Sequence, residues 1–267
     1  MNKSNLILEI RKKKSFLCVG LDPDIEKMPM HLSKDIEGVK KFCLEIIQST
    51  KEFCVAYKPN SAFFEALGWR GIQILEEVID AIPKTHFIIA DAKRGDIGNT
   101  SRMYAKAYFE TMKADAITVA PYMGEDSVRP FLEFKDKWAI ILGLTSNTGS
   151  KDFELKKMDG KDLYEIVLEE CAKWGNSENT MFVIGATQGQ YMKRVRQIVP
   201  NHFLLVPGVG AQGGSLEDVC NHLINDEIGI LINASREIIY ASSETDFAEK
   251  AGQKAKELAV KMSFWVK

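Results

Sequence analysis

The segment Asp91-Ala92-Lys93-Arg94-Gly95-Asp96 carries the chain's densest chemistry: two carboxylates and two cations within six residues, directly after the apolar run His86–Ala90. Residues two apart on an extended strand share a face, so Asp91 and Lys93 are expected on the same side. Lys58 ends another apolar run in Tyr57-Lys58-Pro59-Asn60 and is expected to reach them. Ammonium and carboxylate groups that alternate in space hold one another charged. Such an array at the end of an apolar run is a candidate for catalysis. A purely structural ion-pair network competes as an explanation, but desolvating that many charges is costly and often yields no net stability.

A second group of residues suits an anion. Pro207-Gly-Val-Gly-Ala-Gln212-Gly-Gly214 is glycine-rich, and glycine lets backbone N–H groups approach a ligand closely. Gln212 offers an amide donor, and Arg236, in Asn233-Ala-Ser-Arg236, a permanent guanidinium. Together they point to a phosphate, with the segment from Pro207 to Ser215 as a lid. Further polar groups follow apolar runs at Leu21-Asp22-Pro23-Asp24 and Thr145-Ser146-Asn147. The four histidines are scattered, and no nucleophile-elbow, zinc-protease or Walker motif occurs. Trp69 and the pair Phe264-Trp265 are expected to pack rather than to stack on a ligand.

Positioning these groups requires a scaffold, and the apolar pattern suggests one. Short β-branched runs predict eight strands: Phe16–Leu21, Phe53–Lys58, His86–Ala92, Ala116–Ala120, Trp138–Leu144, Met181–Ile184, His202–Val206 and Ile228–Ile232. Between them the apolar spacing becomes helical, clearest over Gly71 to Ile82, and also over Asp162 to Ala172, Glu217 to Ile224 and Phe247 to Met262. Strands alternating with helices imply parallel pairing through right-handed crossovers. Eight such units predict an α/β fold of the (β/α)8 TIM-barrel type spanning 1–267 as one catalytic domain, with a doubly wound sheet as the alternative. Ser146 to Gly160 reads as a long loop. In a barrel, chemistry collects where the strands end, and that is where the polar residues fall.

Composition bounds the partners. Lys and Arg number 35 against 37 Asp and Glu, a balance that gives no global attraction to nucleic acid or to an anionic membrane. No apolar run approaches the ~18 residues of a membrane span, and the N-terminal residues do not resemble a signal peptide. Five widely spaced cysteines without a Cys-x-x-Cys pair suit a reducing cytoplasm better than a disulfide framework or a zinc site. The basic run Arg11 to Lys14 is expected to be a solvated helix end.

Taken together, Asp22 in Val-Gly-Leu-Asp, Lys58 in Lys-Pro-Asn, Asp91-x-Lys93-x-x-Asp96-Ile97, Pro207-Gly-Val-Gly-Ala-Gln212-Gly-Gly and Asn233-Ala-Ser-Arg236 resemble orotidine 5'-phosphate decarboxylase, in its longer-chain branch. The likeness runs from about residue 18 to 240. It implies a homodimeric, cofactor-independent enzyme that converts orotidine 5'-phosphate to UMP and CO2 in pyrimidine synthesis. It further implies that Lys93 donates the proton within an array of Lys58, Asp91 and Lys93. Asp96 and Thr100 would enter from the partner subunit, Asp22 and Asn60 would lie by the ribose and base, and Gln212 and Arg236 would hold the phosphate beside Pro207. The stretch Thr145-Ser146-Asn147-Thr148-Gly149 stands where shorter members often have Ser-His-Pro-Gly, so either Thr145 or Ser146 could meet the pyrimidine. Two other functions share parts of the pattern: a metal-assisted sugar-phosphate decarboxylase or aldolase with Asp-x-Lys-x-x-Asp, and a non-catalytic phosphate-ligand sensor.

Overall fold

The computed structural model describes residues 1–210 and 213–267. Eight parallel strands close into a barrel: β1 (Leu17–Leu21), β2 (Ala56–Pro59), β3 (Phe87–Arg94), β4 (Ala116–Val119), β5 (Trp138–Leu144), β6 (Thr180–Ile184), β7 (Phe203–Pro207) and β8 (Ile230–Ala234). Closure is made by β1 on β8, with Leu17 opposite Ile232 and Val19 opposite Ala234. The eight-strand barrel is the expected architecture, and the doubly wound sheet is excluded.

Period-2 alternation then decides what points inward. Phe87, Trp138 and Phe203 open the alternate strands β3, β5 and β7. Their rings meet edge to face, with centroids 6.0 Å and 6.4 Å apart, and plug one end of the barrel. Advancing by even steps from that layer reaches Asp91, Leu142 and Pro207 at the opposite end, where all three line one cavity.

Three expectations change. The second strand begins at Ala56 rather than Phe53, because Phe53 donates its N–H back to Thr50 in a turn. The eighth begins at Ile230 and runs on through Asn233 and Ala234, because Ile228 closes a turn by bonding back to Asn225 and Ile228 and Gly229 have φ of 69° and 64°. The loop after β5 holds a 3-10 turn, Thr148–Asp152, and a small hairpin of Lys157–Met158 with Lys161–Asp162. Elsewhere, Lys13 turns inward and donates to the carbonyls of Lys51 and Cys54 at 2.8 Å each, unlike a solvated helix end. Trp69 and Phe264 are 73% and 84% exposed, so neither is a packing residue.

Candidate active site

At the end of the barrel where strands run into helices lies a cavity of 530 Å³. Lys58, Asp91, Lys93 and Thr118 form one wall, Thr145, Ser146, Asn147, Glu154 and Pro207 another, and Leu142, Val183 and Leu205 the apolar floor. Lys58 comes from β2, Asp91 and Lys93 from β3, Thr118 from β4 and Pro207 from β7.

The charged array is formed. One oxygen of Asp91 accepts from Lys58 Nζ at 2.5 Å and the other from Lys93 Nζ at 2.5 Å. Lys58 and Asp91 are buried, whereas the Lys93 side chain is 52% exposed and faces the cavity. Burial by itself would raise the pKa of Asp91, but the two ammonium groups outweigh it and hold the carboxyl well below the usual carboxylate range. Burial would likewise lower Lys58, and Asp91 and Asp22 together push it above its ordinary value. Lys58 and Asp91 therefore both stay charged across the neutral range. Arg94 leaves the site, pairing with Glu65 and donating to Tyr108 Oη at 3.1 Å.

The reason Lys93 reaches Asp91 differs from regular alternation. Pairing of β3 with β4 slips between Ala90 and Arg94, and Lys93 takes a left-handed φ of 47°. An irregularity of this kind re-aims a side chain, and here it returns the ammonium to the carboxylate two residues back.

Asp22 follows β1, half-buried, with one carboxylate oxygen enclosed and unpartnered among the described residues. Asn60 follows β2 in a bridge with Asp91, and its side chain accepts from the N–H of Ala62 at 3.3 Å. Thr145 and Ser146 both line the cavity, but the Thr145 hydroxyl is engaged by Asn147 at 2.6 Å and Glu154 at 2.8 Å. Arg236 opens the short helix Arg236–Ile239 after β8, exposed and without an ion-pair partner among the described residues. Gln212 lies outside the described residues.

Within the glycine-rich segment the N–H groups of Gly210, Gly213 and Gly214 are bonded to carbonyls of the same segment. Gly210 has a φ of 72°, a left-handed conformation that favours glycine.

Asp96 and Thr100 are not gathered into the cavity of this chain. Asp96 Oδ1 accepts the N–H of Ile97 at 2.7 Å, and Thr100 is exposed on the helix Gly98–Lys106. Around them Ile97, Met103, Tyr122 and Met123 are exposed, Tyr122 by 92%.

Two polar cavity residues are not singled out by the sequence. Glu154 accepts both the N–H of Thr145 at 2.7 Å and its hydroxyl; it sits in what reads as an undifferentiated polar loop. Thr118 sits inside an apolar strand, where threonine reads as a good β former.

Residues 15–251 match the family described as Orotidine 5'-phosphate decarboxylase / HUMPS family. The chain is 53% identical over 266 residues to an orotidine 5'-phosphate decarboxylase of Phocaeicola vulgatus, covering 98% of each chain. It is also 53% identical to that of Flavobacterium johnsoniae, covering 98% of this chain and 97% of the relative. Among solved structures, a putative orotidine-monophosphate-decarboxylase from Toxoplasma gondii superposes with a TM-score of 0.87 at 36% identity, covering 98% of both chains. The OMP decarboxylase of Leishmania donovani gives 0.84 at 37%, covering 97% of this chain and 99% of that one.

Proposed function

We propose how the site divides its work from the premise that the chain belongs to the orotidine 5'-phosphate decarboxylase family. The activity is that of a carboxy-lyase, converting orotidine 5'-phosphate to UMP and CO2 in pyrimidine biosynthesis. In our reading Arg236 holds the phosphate, with Gln212 and Pro207 beside it. Asp22 and Asn60 take the ribose side, and the pyrimidine lies over the apolar floor of Leu142 and Leu205. Thr145 and Ser146 both line the cavity, and one of these two residues meets the pyrimidine edge.

The C6–carboxylate bond breaks, its electron pair stays on C6, and CO2 departs. Lys93 Nζ stabilises that pair and then transfers a proton to C6. The amine left behind is half-exposed and regains its proton from water. Asp91 keeps Lys93 aimed, and Lys58 keeps Asp91 ionised. The observation that carries this reading is the Lys58–Asp91–Lys93 array in one cavity: fixed charges that need no reorganisation when the carbanion forms.

Asp96 and Thr100 act, in this reading, in the site of a second copy of the chain. Support comes from their absence from the chain's own cavity and from the exposed apolar residues Ile97, Met103, Tyr122 and Met123 beside them. The whole chain works as one catalytic barrel within a homodimer. All five cysteines are buried free thiols, in keeping with a cytoplasmic enzyme; no helix among the described residues is long and apolar enough to cross a membrane.

Mixing inactive Lys93→Ala and Asp96→Ala proteins tests the shared site. With random exchange each mixed dimer holds one intact and one doubly altered site, so roughly a quarter of all sites should decarboxylate orotidine 5'-phosphate. No recovery after verified exchange would rule out a site built across two copies.

A further inference from the structure

The left-handed Lys93 is held by a residue outside the charged array. Thr118 lies on β4 in the run Ala116-Ile-Thr-Val119 and is 1% exposed. Its Oγ1 accepts the backbone N–H of Lys93 at 2.9 Å and donates to Asp91 Oδ1 at 3.0 Å. That same Oδ1 accepts from Lys93 Nζ. A closed ring results: Lys93 backbone to Thr118 hydroxyl, hydroxyl to Asp91 carboxylate, carboxylate to Lys93 ammonium.

The irregular pairing explains why a hydroxyl is used. Ala90 stands opposite Ile117 and Arg94 opposite Val119, so β3 spends four steps where β4 spends two. The bulged N–H of Lys93 meets a side-chain oxygen instead of a ladder carbonyl, and an unpaired N–H there would be costly. A threonine hydroxyl has one proton and two lone pairs. Accepting from Lys93 leaves that proton for Asp91, so one group fixes both the backbone and the counter-ion of the proposed proton donor. Non-glycine residues adopt a left-handed φ only where the surroundings enforce it.

We propose that Thr118 is a positioning residue for the decarboxylation: it holds Lys93 in its left-handed turn and so aims the ammonium into the cavity. This rests on the role given to Lys93 above. Thr118→Val keeps the branched shape and removes both hydrogen bonds, whereas Thr118→Ser keeps the hydroxyl. A proton donor displaced by about 1 Å costs on the order of 100-fold in rate. The expected result is a fall of that size in kcat for Thr118→Val. KM and UMP affinity, measured on the same folded protein, should change by less than about threefold, because uniform binding is untouched. Thr118→Ser should recover most of the lost rate.

A second measurement needs no substrate. Limiting acetic anhydride on ligand-free protein, read at Lys93 by mass spectrometry against the other lysines, should label Lys93 several-fold faster in Thr118→Val than in Thr118→Ser. Unchanged kcat in the valine variant, equal loss in both variants, or equal labelling of Lys93 in both would each overturn the role of Thr118. Wild-type protein that fails to release CO2 from orotidine 5'-phosphate would overturn the reading of the site instead, and the labelling comparison would still decide whether Thr118 holds Lys93.

Discussion

Lys58 and Arg196 are both cations withdrawn from water, and they sit at opposite ends of the barrel. Lys58 faces Asp91, with Asp22 near enough to add its charge, and its pKa is pushed up. Among the described residues Arg196 meets only carbonyls, those of Leu223, Val199, Pro200, His202 and Gly229 at 2.6–3.3 Å, and burial pushes it down to about 10. Withdrawal from water thus has opposite consequences in the two places. A cation among carbonyl dipoles ties down backbone where the chain enters β7 and β8, and its charge is incidental. A cation among carboxylates keeps its charge fixed beside a cavity, where in the proposed reading it serves chemistry. One end of the barrel is built to be stable, the other to be electrostatically prepared.

Four substitutions bear on that contrast. Lys93→Ala should lower kcat by about 10⁴-fold or more while UMP still binds within about tenfold of wild type. The ultraviolet absorbance change of orotidine 5'-phosphate follows the first and calorimetry the second, and substantial residual UMP formation would remove Lys93 as proton donor. At the other end, Arg196→Met should lower Tm by about 5–10 °C by stranding buried carbonyls. Its kcat per folded site should be that of wild type, and a loss of kcat without a loss of Tm would break the contrast.

The remaining effects are smaller. Glu154→Gln should raise KM by about tenfold with kcat little changed, because it weakens the two hydrogen bonds that shape the Thr145–Ser146 turn. A loss confined to kcat would place Glu154 in the chemistry instead. His202, near Arg196, has both ring nitrogens buried and unpartnered among the described residues, and burial, aided by the Arg196 and Lys3 charges, pushes its pKa down to about 4. Its folded value lies below its unfolded value. As pH falls from about 6.5 toward 4, the unfolded chain therefore takes up the proton first and stability is lost. His202→Phe should remove that sensitivity, narrowing the Tm difference between pH 7.5 and pH 5 by about 3 °C. An unchanged difference in calorimetry would show that His202 is not the titrating group.

Much of the barrel is legible in the chain because strand runs are local signals. Trp138–Leu144 keeps its predicted limits, and Asp91, Lys93 and Pro207 stand where apolar runs end. The misplaced starts of β2 and β8 have a common cause: Phe53 and Ile228 are apolar residues in turns, and hydropathy cannot separate a buried turn from a buried strand. Thr118 and Glu154 are illegible for another reason. Each acts by a hydrogen bond to a residue 25 or 9 positions away, and nothing in its own neighbourhood marks it. Asp96 and Thr100 carry a motif, yet one copy of the chain gives them no partner in the cavity.

The amino-acid order by itself determined the inventory: eight strand-forming runs, the polar groups that follow them, and an Asp-x-Lys-x-x-Asp whose charges must be compensated. These follow from short-range periodicity and from the chemistry of side chains, which need no distant contact. Only the tertiary structure decided which of those groups meet. Closing β1 onto β8 and slipping β3 against β4 are cooperative outcomes of the whole barrel, and they turned a threonine in an apolar strand into the hinge on which Lys93 is hung.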